Sequence, residues 1–403
     1  MTQPAATMTV NTSARGMLMR SLVIGLISFL TLIDLFGSQA LLPSLTEAYG
    51  VDAATMGFAV NASTIGMAVA GLAVALFGRR LDRKRGIWVS LVLLALPTAL
   101  LGMVDDITSF TLLRIAQGLF MSAAFTLTMA YLAEECSASE AASAMAAYIT
   151  GNVVSNLLGR LMAAGFAESF GLDGSFYAFA LLNLAGAVLV YVCLGQAARR
   201  EVSGAEPSPL AVWAIHLRNP ALQASFAIGF LILFAFLGIF TYVNYVLAGP
   251  AIGLGPVALG LVYFVFLPAV LTTPLAGKMV ASFGVRRAFF LSMGVAGVGL
   301  VAIALPSLIA VLAGMVLIAV GTFCAQAVTA GFVGRAATAD RAAASGLYLA
   351  SYYLGGLAGS LLLGQVFGAF GWLASVIGVA IAIALSCLLA LRLVVPKAEI
   401  VGQ

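Results

Sequence analysis

Charge is what this sequence lacks. Asp, Glu, Lys and Arg make up only 8% of its 403 residues, against about 25% in a soluble domain. Water is therefore not the solvent that most of the chain faces. Histidine occurs once, as His216, in a polar central segment where it reads as solvated. Cysteine occurs four times, with Cys193, Cys324 and Cys387 in apolar runs and Cys136 in a loop. No metal-ligand spacing is present, so neither a metal nor a cofactor is expected. No nucleophile and base converge, which argues against an enzyme. The alternating ten-residue segments of a membrane barrel are missing too.

Hydrophobic residues are what is there, at 63% of the chain. Apolar runs of about 18 residues or more recur, each long enough to cross a hydrocarbon core of about 30 Å. Twelve are found, at 21–43, 54–78, 87–104, 108–133, 141–167, 174–196, 220–247, 256–277, 288–305, 306–333, 342–368 and 372–391. The first has no small-residue cleavage site and reads as a retained helix. The expected fold class is an all-α membrane protein with twelve transmembrane helices.

The few cations lie on one side. Of 19 Lys and Arg, only Arg114 and Arg160 fall within spans, and the rest, from Arg15 to Lys397, lie in segments of one parity. The positive-inside rule then places both termini in the cytoplasm of a bacterial-type inner membrane. The net charge of +4 has this origin, so the bilayer is the expected partner and nucleic acid is not.

One extended polar stretch, AARREVSGAEPSP at 197–209, divides the spans six and six. It sets the expected domains: an N-terminal half at 1–196, a cytoplasmic linker at 197–219 and a C-terminal half at 220–403. The halves repeat. Between 142–171 and 342–371, eight of thirty positions are identical at an offset of 200. Positions four apart share a helix face, which makes Gly151, Ser155 and Gly159 a packing stripe, matched by Ser351, Gly355 and Gly359. Beside it Tyr148, Asn152, Asn156 and Arg160 face Tyr348, Tyr352, Gly356 and Ser360 in the repeat. Two parallel six-helix repeats around a midplane site describe a secondary transporter.

The loop FGRRLDRKRG at 77–86 places Gly78 four residues before Asp82, among basic residues. It resembles the signature loop of the major facilitator superfamily, departing from it at Arg80 and Arg85. The twelve-span layout is similar to that superfamily over nearly the whole chain. The second-half loop keeps Gly277, Gly284, Arg286 and Arg287, with Ala281 in place of the acid. LLRIAQGLF at 112–120 resembles the arginine and glycine motif of proton-coupled members. LTLIDLFGSQALLP (30–43), GNVVSNLLGRL (151–161) and FTYVNYVLAGP (240–250) resemble the drug:proton antiporter and arabinose-efflux-like branch. The resemblance implies that Asp34 and Arg114 form the proton-coupling pair. Gating is expected from Gly78, Asp82 and Arg83, with Asp82 and Arg83 reaching the second half and Glu134 or Glu135.

Asp34, Arg114 and Arg160 are the ionisable acid and bases well within spans, each disfavoured by roughly 2.5–3.5 kcal/mol on insertion scales. One arrangement has both arginines snorkelling while Asp34 bridges to one of them. In the other, Asp34 serves proton coupling and a surplus positive charge is left for water, a carbonyl cage or an anionic ligand. Gln117 shares the face of Arg114, and Ser38 that of Asp34. The second half offers aromatics, among them Tyr242, Tyr245, Tyr263, Phe264, Phe266, Tyr348 and Tyr352, with Asn244 between two tyrosines. The expected substrate site draws on Arg160, Asn152, Asn156, Gln117, Tyr148, Tyr242, Asn244, Tyr348 and Tyr352. The expected function is proton-coupled export of small organic or amphiphilic molecules by a monomer. The alternative is uptake or exchange of a small organic anion.

Overall fold

A chain crossing hydrocarbon must satisfy its own backbone hydrogen bonds, and a helix does so within one segment. The computed structural model describes residues 14–77, 81–135, 138–195, 209–337 and 341–394, and among them no strand occurs. The helices are α1 (Ala14–Ala40), α2 (Leu42–Tyr49), α3 (Ala53–Asn61), α4 (Ser63–Phe77), α5 (Arg83–Leu100), α6 (Ile107–Glu135) and α7 (Ala138–Cys193). They continue as α8 (Pro209–Arg218), α9 (Pro220–Ala248), α10 (Pro256–Val262), α11 (Leu267–Thr272) and α12 (Ala276–Ile303). Last come α13 (Leu308–Ala336), α14 (Arg341–Phe370) and α15 (Trp372–Ala390).

Ten helical stretches among the described residues are long and apolar enough to span a membrane. Two glycines raise that to twelve. At Gly171 (φ 77°, ψ 177°) the 56-residue α7 turns back and becomes two spans. At Gly284 (φ 79°, ψ 164°) α12 turns likewise, and its first part completes an eighth span begun by α10 and α11. Left-handed φ is open to glycine without the Cβ clash of other residues. Gly371 (φ 78°), between α14 and α15, lies at the repeat offset from Gly171 and has the same backbone turn.

The repeat also governs packing. A Cβ on Gly151 would stand 2.0 Å from the Gly25 carbonyl of α1, and one on Gly159 2.8 Å from that of Ile33. In the second half a Cβ on Gly355 would stand 2.0 Å from the Phe230 carbonyl of α9, and one on Gly359 2.3 Å from that of Phe234. Small residues thus bring backbones together where lipid supplies no hydrophobic drive. α1 lies on α7 as α9 lies on α14.

The eighth span is the irregular one. Pro268 and Pro274 each lack a backbone donor, and 3₁₀ turns stand at Tyr263–Phe266 and Thr273–Leu275. At the basic face, Asp82 caps α5, its carboxylate accepting from the Arg85 N–H at 2.7 Å. Arg83 opens that helix. Gly78 lies outside the described residues, as does the side chain of Glu134, near the end of α6. His216 corrects the sequence reading: it is buried on α8, not solvated. On this short helix that position turns inward, while Ile215 and Leu217 on either side are exposed.

Candidate functional site

Helix α1 carries Asp34, Ser38 and Gln39, all buried. Ser38 and Gln39 reach toward different arginines.

The first is Arg114 on α6, with no exposed surface. Its Nε donates to the Val60 carbonyl at 2.9 Å and its Nη2 to the Ser63 hydroxyl at 3.2 Å. Glycine makes this reach possible, since a Cβ on Gly118 would stand 1.8 Å from the Ser63 carbonyl. Nη1 donates to the Ser38 hydroxyl at 3.1 Å and to Gln117 Oε1 at 2.6 Å. Gln117 then turns its Nε2 to the Thr98 hydroxyl at 2.7 Å and to Asp34 Oδ2 at 3.5 Å. The same Asp34 oxygen accepts from Asn183 Nδ2 at 2.8 Å and Thr98 Oγ1 at 3.0 Å. Among the described residues Asp34 Oδ1 and Asn183 Oδ1 have no hydrogen-bond partner. Acid and base are joined through Gln117, with no direct ion pair in the bonds that hold them.

The second is Arg160 on α7, also without exposed surface. Neither arginine snorkels. Arg160 Nε donates to Asn156 Oδ1 at 3.1 Å, and Nη2 to Gln39 Oε1. Nη1 has no partner. The guanidinium lies 3.9 Å from the ring centroid of Tyr263, a cation–π contact, with Phe266 and Phe36 at 5.6 and 5.8 Å. Tyr263 belongs to the 3₁₀ turn of the eighth span.

Arg160 therefore touches both sets of six spans, and other bonds cross beside it. Gln39 Nε2 donates to Asn61 Oδ1 at 2.8 Å, and Asn61 Nδ2 to the Thr241 hydroxyl at 3.0 Å. Asn244 Nδ2 donates to the Gln39 carbonyl at 3.2 Å, and the Tyr263 hydroxyl donates to Asn244 Oδ1. Thr46 and Tyr245 share a hydrogen bond at 2.7 Å. These crossings lie toward the face opposite the basic loops.

The other tyrosines serve elsewhere. Tyr148 donates to the Phe125 carbonyl at 3.1 Å and tilts against the Phe125 ring, so it joins α7 to α6. Tyr348 and Tyr352 stack on each other along α14, ring centroids 6.2 Å apart. Tyr242 donates to the Ser360 carbonyl and lies over Gly57 and Gly364, filling the seam between α3, α9 and α14. Asn152 is half-buried, and its carbonyl accepts from Ser155. The structure thus gathers Asp34, Gln117 and Arg114 in one cluster and Arg160, Asn156 and Asn244 in another. Thr98, Asn183, Gln39 and Asn61 complete them, and sequence reasoning missed all four. The available signal was a neutral hydrogen-bonding side chain inside an otherwise apolar run.

Residues 24–266 and 244–402 match the family model of the Major Facilitator Superfamily. The chain is 28% identical over 339 residues to the inner membrane transport protein YnfM of Escherichia coli, covering 84% of this chain and 81% of that one. It is 25% identical over 362 residues to an uncharacterized transporter of Buchnera aphidicola, covering 90% and 85%. Its fold is similar to the crystal structure of a bacterial homologue of the human lysosomal transporter Spinster, inward-facing and unoccupied. That likeness has a TM-score of 0.73 at 14% identity over 94% of this chain and 98% of the other.

Proposed function

The chain belongs to the Major Facilitator Superfamily, and on that premise we propose that this membrane transporter exports small organic or amphiphilic molecules, drug-like or sugar-like, in exchange for protons. One observation carries the reading: a fully buried acid, Asp34, keeps one oxygen unpartnered while the other gathers Asn183, Thr98 and Gln117. A charged Asp34 is the acceptor those three donors call for. A proton on Oδ1 removes that charge and weakens their hold. Gln117 passes the change to Arg114, whose other bonds end on α1, α3 and α4. Protonation thereby alters how α1 sits against α6, and a ligand shifts a conformational equilibrium only through such differences between states.

The transport unit is a single chain with six spans to either side of a cytoplasmic linker at 197–219, both termini cytoplasmic. Arg160, Asn156, Asn152 and Asn244 contribute the polar part of the substrate site. Asp82, Arg83, Gly78 and Glu134 serve the gate on the basic face.

The test uses everted membrane vesicles with an imposed proton gradient. Substrate accumulates in them, collapsing the gradient stops accumulation, and Asp34→Asn removes the coupling while leaving exchange down a substrate gradient. Transport indifferent to the gradient sinks the proposal. A second reading, uptake or exchange of a small organic anion, is favoured by Arg160, whose partners among the described residues include no carboxylate.

A further inference from the structure

Arg160 is a buried cation that meets no anion among the described residues. Its hydrogen bonds end on two neutral amides, Asn156 and Gln39, its face rests on Tyr263, and Nη1 has no partner. Charge left uncompensated in a low-dielectric interior is unfavourable unless something pairs with it. A carboxylate takes two parallel N–H bonds from one guanidinium edge. On Arg160 the edge formed by Nη1 and Nη2 fits, because the first has no partner and the second is held by an amide oxygen.

Rings surround that guanidinium. Phe36, half-buried, and Phe266 flank the guanidinium. From Phe266 an aromatic cluster continues to Phe240 at 4.8 Å and Phe236 at 5.8 Å, and from Phe236 to half-buried Phe323 at 5.2 Å. The site asks for one negative charge at one end and a ring at the other.

We infer that Arg160 receives the carboxylate of an aromatic monoanion, which takes the place of the Gln39 side chain. This deepens the anion reading above and rests on it. Gln39 is also the middle of the closure between the halves, because it holds Asn61, and Asn61 holds Thr241. An anion that displaces Gln39 from Arg160 frees the same side chain to leave Asn61. Neutralising the cation and loosening the face opposite the basic loops become one event.

The experiment measures the thermal unfolding midpoint of the purified full chain in detergent, with 2-naphthoate, 2-naphthamide or acetate added. A ligand that binds only the folded state raises the midpoint as its concentration rises. On the unsubstituted protein, 2-naphthoate acts at concentrations at least tenfold lower than 2-naphthamide or acetate. Gln39→Glu gives Arg160 a carboxylate from the chain itself. That variant unfolds at or above the midpoint of the parent and binds 2-naphthoate at least tenfold more weakly. Arg160→Lys keeps the charge but loses the fork. It binds 2-naphthoate several-fold more weakly and still prefers it to the amide, which decides the matter if Gln39→Glu does not fold. Equal effects of naphthoate and naphthamide on the parent overturn the proposal. So does acetate matching naphthoate, or undiminished naphthoate binding by either variant. No gradient is present, so failure here is distinct from failure of proton coupling, which Asp34→Asn reads in vesicles.

Discussion

The two buried arginines differ in what answers their charge. Arg114 spreads its donors over Val60, Ser63, Ser38 and Gln117, and Gln117 leads on to a carboxylate. Arg160 meets amides and the face of a ring, and one nitrogen has no hydrogen-bond partner among the described residues. Both are reached from α1, by adjacent residues. One cation is balanced inside the first half of the chain. The other stands at the seam with its balance left open, and such an opening suits a ligand better than a structural bond.

The largest expected effect breaks the balanced side. Arg114→Leu leaves Asp34 buried without a nearby cation and strips Val60, Ser63, Ser38 and Gln117 of their donor, and it destabilises the protein by about 3–5 kcal/mol, the range for a buried charge left uncompensated. The double variant Asp34→Leu with Arg114→Leu recovers most of that loss, since apolar replacement of a whole pair is often neutral. Arg160→Leu leaves no charge behind and is expected to be far milder. Denaturant unfolding in mild detergent ranks the three, and an equal loss for Arg114→Leu and Arg160→Leu would erase the distinction.

A smaller effect tests the bonds around the acid. Asn183→Ala removes a buried donor and costs about 1–3 kcal/mol, together with most proton-driven transport. Proteoliposome flux under an imposed gradient checks it, and flux equal to the parent removes Asn183 from the site. On the unbalanced side, Arg160→Ala reduces substrate binding far more than Arg160→Lys, and equal tolerance of both would leave Arg160 a packing residue.

The smallest effect comes from an acid in water. Asp52 caps α3, accepting from the Ala54 and Thr55 N–H groups at 2.8 and 2.9 Å. The Thr55 bonds, backbone first, hold its carboxyl below the ordinary carboxylate range. Its folded pKa is depressed, so its contribution is fully present above about pH 3.9, the ordinary Asp value. The contribution is lost as pH falls through the depressed value. Asp52→Ala costs about 1 kcal/mol, as caps do, and its difference from the parent fades at acid pH. A difference that persists there would refute the cap's role.

The spans were legible because continuous apolar runs leave little choice. The run at 220–247 is α9, Pro220–Ala248, and the run at 372–391 is α15, Trp372–Ala390. The expected turn between 167 and 174 falls at Gly171. The candidate site was legible where a charge, or a polar side chain near one on the same helix face, marked it. Asp34, Arg114 and Gln117 announce themselves in apolar surroundings, and they meet. Asn183 and Thr98 carry no charge, and their part depends on how α5 and α7 are rotated, which no run of residues states. Tyr148 lies apart from both clusters. It shares a helix face with Arg160, but twelve residues separate them, about 18 Å at 1.5 Å per residue. A shared face is not a shared depth, and Tyr148 belongs with Phe125. The stripe of Gly151 and Gly159 was legible because close backbone approach requires small residues wherever it occurs.

Neighbours on a helix point about 100° apart around its axis. Ser38 and Gln39 are such neighbours, one under each arginine. Helix α1 is therefore built like a camshaft, with two lobes set at a fixed angle on one axle. Gly25 lies on α7 with no side chain to catch, where even a methyl group on the facing Gly151 would strike it. A partial turn of that axle lifts one lobe as it lowers the other. A proton at Asp34, beside the first arginine, and a solute at the second would then keep time without ever meeting.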